Sequence, residues 1–131
     1  NNKALFWLGL GLFMAEGSKT ERWSVKFTNS DPVIIKAILR FFRESCQVPE
    51  SKIRLQLFLH SNCIERDSLN YWSKIAKVPK ERFWKTQIIQ TPSSKAIRSA
   101  NRLPYGTLRI AIPDTSLNRK IYGWMLGLKN I

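Results

Sequence analysis

Gly9-Leu10-Gly11-Leu12-Phe13-Met14-Ala15-Glu16-Gly17 is the stretch on which the fold turns. It closes an apolar run from Ala4 to Ala15 that reads as a helix over residues 3–16, ended by Gly17-Ser18. Gly11 and Ala15 are four apart and share one face, a small-xxx-small surface where two backbones approach closely. Close packing explains why glycine is tolerated inside a helix at a cost of about 1 kcal/mol each. Leu8, Gly11, Leu12 and Ala15 therefore form a helix-to-helix seam. We assign its partner to a second subunit, because the helix is apolar on nearly every side. Glu16 sits at the helix C-terminus, where its charge opposes the local dipole and asks for a cation.

Outward from this helix the pattern alternates between periods of two and 3.6. A strand is expected over 22–29, with Trp23, Val25 and Phe27 inward and Ser24, Lys26 and Thr28 outward. Asp31 caps a helix that begins at Pro32 and runs to about Cys46 on Ile34, Ile35, Ile38, Leu39 and Phe42. Residues 52–60 give the clearest strand: Ile53, Leu55, Leu57 and Leu59 on one face, Lys52, Arg54, Gln56, Phe58 and His60 on the other. A helix over 65–76 points Leu69, Trp72 and Ile75 inward. A strand at 84–90 has no clear inner face. The segment Pro92–Pro104 is a polar loop carrying Lys95, Arg98 and Arg102, suited to phosphate contact. Leu108, Ile110 and Ile112 alternate with Thr107, Arg109 and Ala111. Asp114 or Ser116 then caps a last helix bearing Leu117, Ile121, Trp124, Met125 and Leu128. Trp7, Trp23, Trp72 and Trp124 fall on inward faces, with Trp84 unassigned. The sum is one α+β domain over 1–131, its sheet apolar on the helix side and basic on the other.

The 131 residues hold 22 Lys+Arg against 9 Asp+Glu, a formal charge of +13, and 44% are hydrophobic. That apolar content builds a core, and a pI near 10.3 points to a polyanionic partner. Cys46 and Cys63 lie in no zinc-ligand spacing and read as reduced thiols of a cytoplasmic protein, one disulfide between them being the alternative. His60 is the single histidine, so nucleophilic chemistry that needs a second one is excluded; an enzyme here works with carboxylates, lysines and a metal. Lys3 and the apolar run after it resemble the start of a signal peptide, yet twelve apolar residues are too few to span a bilayer. A packed helix is the preferred reading, with no membrane partner.

The 9–17 stretch resembles the LAGLIDADG motif of homing endonucleases, Gly11 matching its internal glycine and Ala15-Glu16-Gly17 its closing small-acid-Gly. Glu16-Gly17-Ser18-Lys19, Phe27-Thr28-Asn29-Ser30-Asp31-Pro32 and Tyr71-Trp72-Ser73 resemble a bacterial branch of that superfamily. Members of this branch can carry a helix-turn-helix segment ahead of the domain. Three departures stand out: Gly9-Leu10 replaces the usual Leu-Ala, Met14 replaces the first motif acid, and Glu16 replaces aspartate. The resemblance implies a curved antiparallel sheet with helices on one face, approximately αββαββα with an extra helix at 65–76. With one motif copy it also implies a homodimer through the first helix. Glu16 of each subunit, aided by the Ala15 carbonyl, would then bind Mg²⁺ for hydrolysis of duplex DNA, with Lys19 or Lys85 assisting.

Arg54, Gln56 and Arg109 have the chemistry to read base edges, Arg gripping guanine and Gln adenine. Ser24, Lys26, Thr28 and His60 complete the expected DNA face, Lys26 being suited to phosphate. The expected activity is a Mg²⁺-dependent, site-specific nuclease associated with the nucleoid. Two alternatives remain open at this point: a catalytically inactive DNA-binding regulator, and an RNA-binding intron-splicing cofactor.

Overall fold

The computed structural model describes residues 2–90 and 104–130. The chain runs α1 (Asn2–Glu16), β1 (Val25–Asn29), α2 (Pro32–Arg40), a π-helical turn (Phe41–Ser45), a 3₁₀ turn (Glu50–Lys52) and β2 (Arg54–His60). It continues through α3 (Glu65–Ala76), a second 3₁₀ turn (Lys80–Arg82), β3 (Gln87–Ile89), β4 (Thr107–Ile112) and α4 (Thr115–Lys129). These make an α+β fold with an open four-stranded sheet in the order β1-β4-β2-β3.

Alternation dictates the sheet. Val25 and Phe27 of β1, Leu55, Leu57 and Leu59 of β2, and Leu108, Ile110 and Ile112 of β4 are all buried in one apolar cluster. Helix residues complete it: Leu5, Leu10 and Phe13 from α1, Ile35, Ile38 and Leu39 from α2, Trp72 and Ala76 from α3, and Ile121 and Met125 from α4. Most side chains that alternate with the buried strand residues remain partly exposed. Asp31 and Asp114 cap α2 and α4, their carboxylates accepting from the Val33 and Leu117 amides at 2.8 and 3.0 Å.

The expected antiparallel sheet is corrected to a mixed one. β4 runs antiparallel to β1 and β2, whereas β3 runs parallel to β2. The reason is the helix between them: α3 carries the chain back, so that the next strand starts in the same direction, as a parallel crossover requires. The strand expected over 84–90 is only three residues long, and all three are exposed. The loop 92–104 lies outside the described residues except for Pro104.

Two tryptophans also leave their expected places. Trp23 is 69% exposed and Trp7 54%. β1 starts only at Val25, because residues 21–24 form a bend tied to α4, so the alternation does not extend back to Trp23. Asn118 Nδ2 donates to the Glu21 and Ser24 carbonyls at 3.1 and 2.8 Å. Along α1 the buried residues are Leu5, Gly9, Leu10 and Phe13, and Trp7 points away from that stripe, lying edge-on to Phe6. A helix apolar on every side offers no periodicity from which to choose the stripe.

The first helix packs on the π turn through Gly9, not Gly11. A Cβ at Gly9 would fall 2.1–2.4 Å from Phe41 side-chain atoms. In the turn itself the Cys46 amide donates five residues back, to the Phe41 carbonyl at 3.0 Å. Consecutive Phe41 and Phe42 are both fully buried there, against Phe6 and Phe13 respectively. Burial also pushes the Cys46 thiol up to about 12, although Lys120 pulls the other way, which leaves it protonated and unreactive. Neither Cys46 nor Cys63 is in a disulfide among the described residues.

Candidate nucleic-acid interface

Strand pairing sets the outward residues in rows across the sheet. Lys26 of β1 faces Ala111 of β4, which faces Arg54 of β2. One step along, Thr28, Arg109 and Gln56 stand side by side. The next row pairs Phe58 with Thr107 and Gln87. A two-residue period thus collects side chains from all four strands on one surface.

Each group is held in place. Arg109 Nε donates to Thr28 Oγ1 at 3.3 Å, and its guanidinium carbon lies 4.6 Å from the Phe58 ring centroid. Stacking on that ring fixes the plane of the fork and leaves its terminal N–H groups available. Arg54 donates to the Ser51 and Ile53 carbonyls at 2.6 and 3.1 Å. Gln56 Nε2 donates to the Lys85 carbonyl at 2.9 Å, and its amide oxygen is an acceptor.

Most ion pairs lie elsewhere, the Lys26–Glu21 pair excepted. Arg40 pairs with Glu44, Arg43 and Arg82 with Glu50, Lys52 with Asp114 and Arg66 with Asp67. Neither Arg54 nor Arg109 has a carboxylate within 4.0 Å among the described residues. Lys26 meets Glu21 at 3.4 Å, and Ser24 Oγ donates to that same carboxylate. Ser24 therefore belongs to the bend before β1 and not to the sheet surface. His60 is half-buried at the end of β2, and its Nδ1 is buried without a hydrogen-bond partner among the described residues.

The motif residues lie beside the opposite edge of the sheet from β3. Gly17 bridges Phe27 in antiparallel fashion, and the Ser18 amide donates to the Lys26 carbonyl at 3.0 Å. In that register Glu16 stands level with Thr28, at the end of the Thr28–Arg109–Gln56 row. Glycine is required at 17, since a Cβ would come within 2.7 Å of the Phe13 ring and carbonyl oxygen. Glu16 is exposed and makes no ion pair with Lys19 among the described residues. Lys19 turns toward α4, lining a cavity with Tyr122 and Arg119. Lys85 lies beyond β2, so Glu16 and Lys85 are separated by roughly 15–20 Å of sheet at the usual strand spacing. The chain alone does not bring them together.

Of the expected seam, Leu8, Gly11 and Ala15 are exposed and Leu12 is half-buried. A Cβ at Gly11 would meet nothing within 4 Å, so among the described residues no helix lies against Gly11 itself. Among the described residues no three His, Cys, Asp or Glu side chains group to hold a metal. No helix among them is long and apolar enough to cross a membrane. Lys95, Arg98 and Arg102 lie outside the described residues.

Sequence reasoning passed over Phe58 as a support for Arg109, although its place on a polar face was the signal. It also missed Arg22, Trp23, Arg119 and Tyr122, which line one cavity. An aromatic next to an arginine at the mouth of a strand was the only hint. Compared with protein-family patterns, curated proteins and solved structures, the chain matches none.

Proposed function

We propose that this chain is a LAGLIDADG-like domain that binds duplex DNA with the outer face of its sheet. The observation that carries this is the pair of guanidinium groups, Arg54 and Arg109, fixed on that face without a carboxylate partner among the described residues. With Lys26, Thr28 and Gln56 they combine phosphate attraction with donors and acceptors suited to base edges. A side-chain surface with a two-residue period follows a groove readily, and the overall charge of +13 favours a polyanion.

In this reading two copies associate through the Leu8-Gly11-Leu12-Ala15 face of α1, where Leu8, Gly11 and Ala15 are exposed and Leu12 is half-buried. A two-fold axis there would join the two sheet surfaces at their β1 edges and favour a pseudopalindromic site. The same axis would bring Glu16 of both copies together. One exposed carboxylate and the Ala15 carbonyl, one of the last four carbonyls of the helix, are hard oxygen donors that suit Mg²⁺. Each copy offers half of such a set, so the residues fit a shared site and not a site within one chain. Bound there, Mg²⁺ would stabilise developing charge on a scissile phosphodiester. Glu16 would position it, while Arg54, Arg109 and Gln56 hold the duplex in register. We propose, on this basis, a site-specific endonuclease.

A second reading keeps DNA binding without cleavage. It is favoured by the pairing of Met14 and Glu16, which leaves one motif acid, a methylene longer than aspartate. Glu16→Gln separates the two. A nuclease loses Mg²⁺-dependent double-strand cleavage of a randomised duplex library while binding stays within about threefold. A regulator cuts with neither variant.

A further inference from the structure

A second cluster of cations and aromatics lies off the sheet, where the bend before β1 meets the start of α4. Lys19, Arg22, Trp23, Arg119 and Tyr122 line an open cavity of about 340 Å³ there. Trp23 and Tyr122 are 69% and 51% exposed, so neither ring serves the core. Arg22 sits with its guanidinium carbon 5.8 Å from the Trp23 ring centroid. The one acid on this wall, Glu21, already engages Lys26 and Ser24. The three cations are therefore without a carboxylate within 4.0 Å among the described residues.

This cavity is built and not a chance fold of a loose bend. Asn118 clamps the Glu21 and Ser24 carbonyls, and Thr115 Oγ1 donates to the Trp23 carbonyl at 3.4 Å. At the other end the Ser18 amide is tied to β1. Four anchors thus hold an exposed tryptophan in place, at no benefit to the hydrophobic core. Exposed aromatic faces beside guanidinium groups are what an unpaired base and its phosphate require, since stacking is indifferent to sequence and the cations take the charge.

We propose that this cavity binds a nucleoside phosphate, the base against Trp23 and Tyr122 and the phosphate on Arg22, Arg119 and Lys19. Its position next to Lys26, where β1 begins, suits an unpaired nucleotide leaving a duplex held on the sheet. That source rests on the proposed DNA-binding reading; a free mononucleotide would present the same chemistry.

The test measures two ligands on the wild-type chain and on Trp23→Ala and Arg119→Ala, both changes at exposed positions. One is a labelled duplex, blunt or with a three-nucleotide overhang, followed by fluorescence anisotropy. The other is deoxyadenosine monophosphate, followed by quenching of tryptophan emission. The overhang is expected to tighten wild-type binding by about tenfold, a preference each variant loses while keeping blunt-duplex affinity. Quenching by the mononucleotide that vanishes in Trp23→Ala also supports the cavity, even if no duplex binds, and then only the sheet-face reading fails. Equal affinity for blunt and overhanging duplex with no quenching overturns the proposal and leaves the sheet-face reading standing. A preference that survives in both variants overturns it too.

Discussion

Two glycines two residues apart in α1 carry opposite expectations. Gly9→Ala drives a methyl into Phe41 near its Cβ, where the ring cannot swing clear, and should cost about 1–3 kcal/mol of stability. Gly11→Ala meets open space and removes a helix-interior glycine, so in the monomer it should add up to about 1 kcal/mol. Chemical denaturation of the two variants checks both signs. On the sheet, Arg109→Ala should weaken duplex binding about tenfold, and Arg109→Lys should not restore it, because lysine has neither the fork nor the plane that stacks on Phe58. At this scale the sequence is informative where side chains alternate: the outward set Arg54, Gln56 and Arg109 can be read from a period of two. It is silent on Gly9, because a uniformly apolar helix does not reveal which glycine meets a neighbour.

Among the elements, α4 depends on its cap. The Asp114 carboxyl is held below its ordinary range, first by the Leu117 amide and then by the Lys52 ammonium at 3.0 Å. Its stabilisation is thus present above the unfolded carboxyl value of about 3.9 and is lost as pH falls through the lower folded value. Asp114→Ala should cost about 1 kcal/mol near neutral pH. Asp114→Asn should keep most of the cap and flatten the acid limb of stability, measured by denaturation from pH 6 to pH 2. The caps Asp31 and Asp114, and the strands β2 and β4, are legible because local chemistry alone specifies them. β3 is not, since three exposed residues joined in parallel to β2 owe their conformation to the α3 crossover. Trp23 misleads for a related reason: its bend is fixed by Asn118, almost a hundred residues away in sequence.

For the whole molecule, the charge of +13 and the one-sided sheet make opposing demands on a monomer. The polar sheet surface is at ease in water, whereas α1 leaves Trp7 and Leu8 exposed at 54% and 53%. The proposed dimer through that face would relieve the second problem and align the two basic surfaces. Sedimentation should therefore show a dimer that Gly11→Lys converts to a folded monomer, the substituted position being open in the chain itself. Composition alone points to a polyanion, because net charge is a sum over residues and needs no geometry. Arrangement is beyond it: Glu16 stands at one end of the Thr28–Arg109–Gln56 row and Lys85 at the other only because of how the strands are ordered in the sheet.

If duplex DNA binds on the outer sheet face, as proposed, its affinity depends on salt and on the two guanidinium groups there. Wild-type chain and the Arg54→Ala/Arg109→Ala double variant would be titrated with a duplex, and with a structured RNA as comparison, over a range of salt concentrations. Wild-type affinity should fall steeply with salt and favour the duplex. The double variant, with unchanged circular dichroism, should bind about a hundredfold more weakly, its log–log salt slope shallower by about two. Equal affinity and slope for the two proteins would contradict the account, as would a wild-type chain that binds the RNA and ignores the duplex.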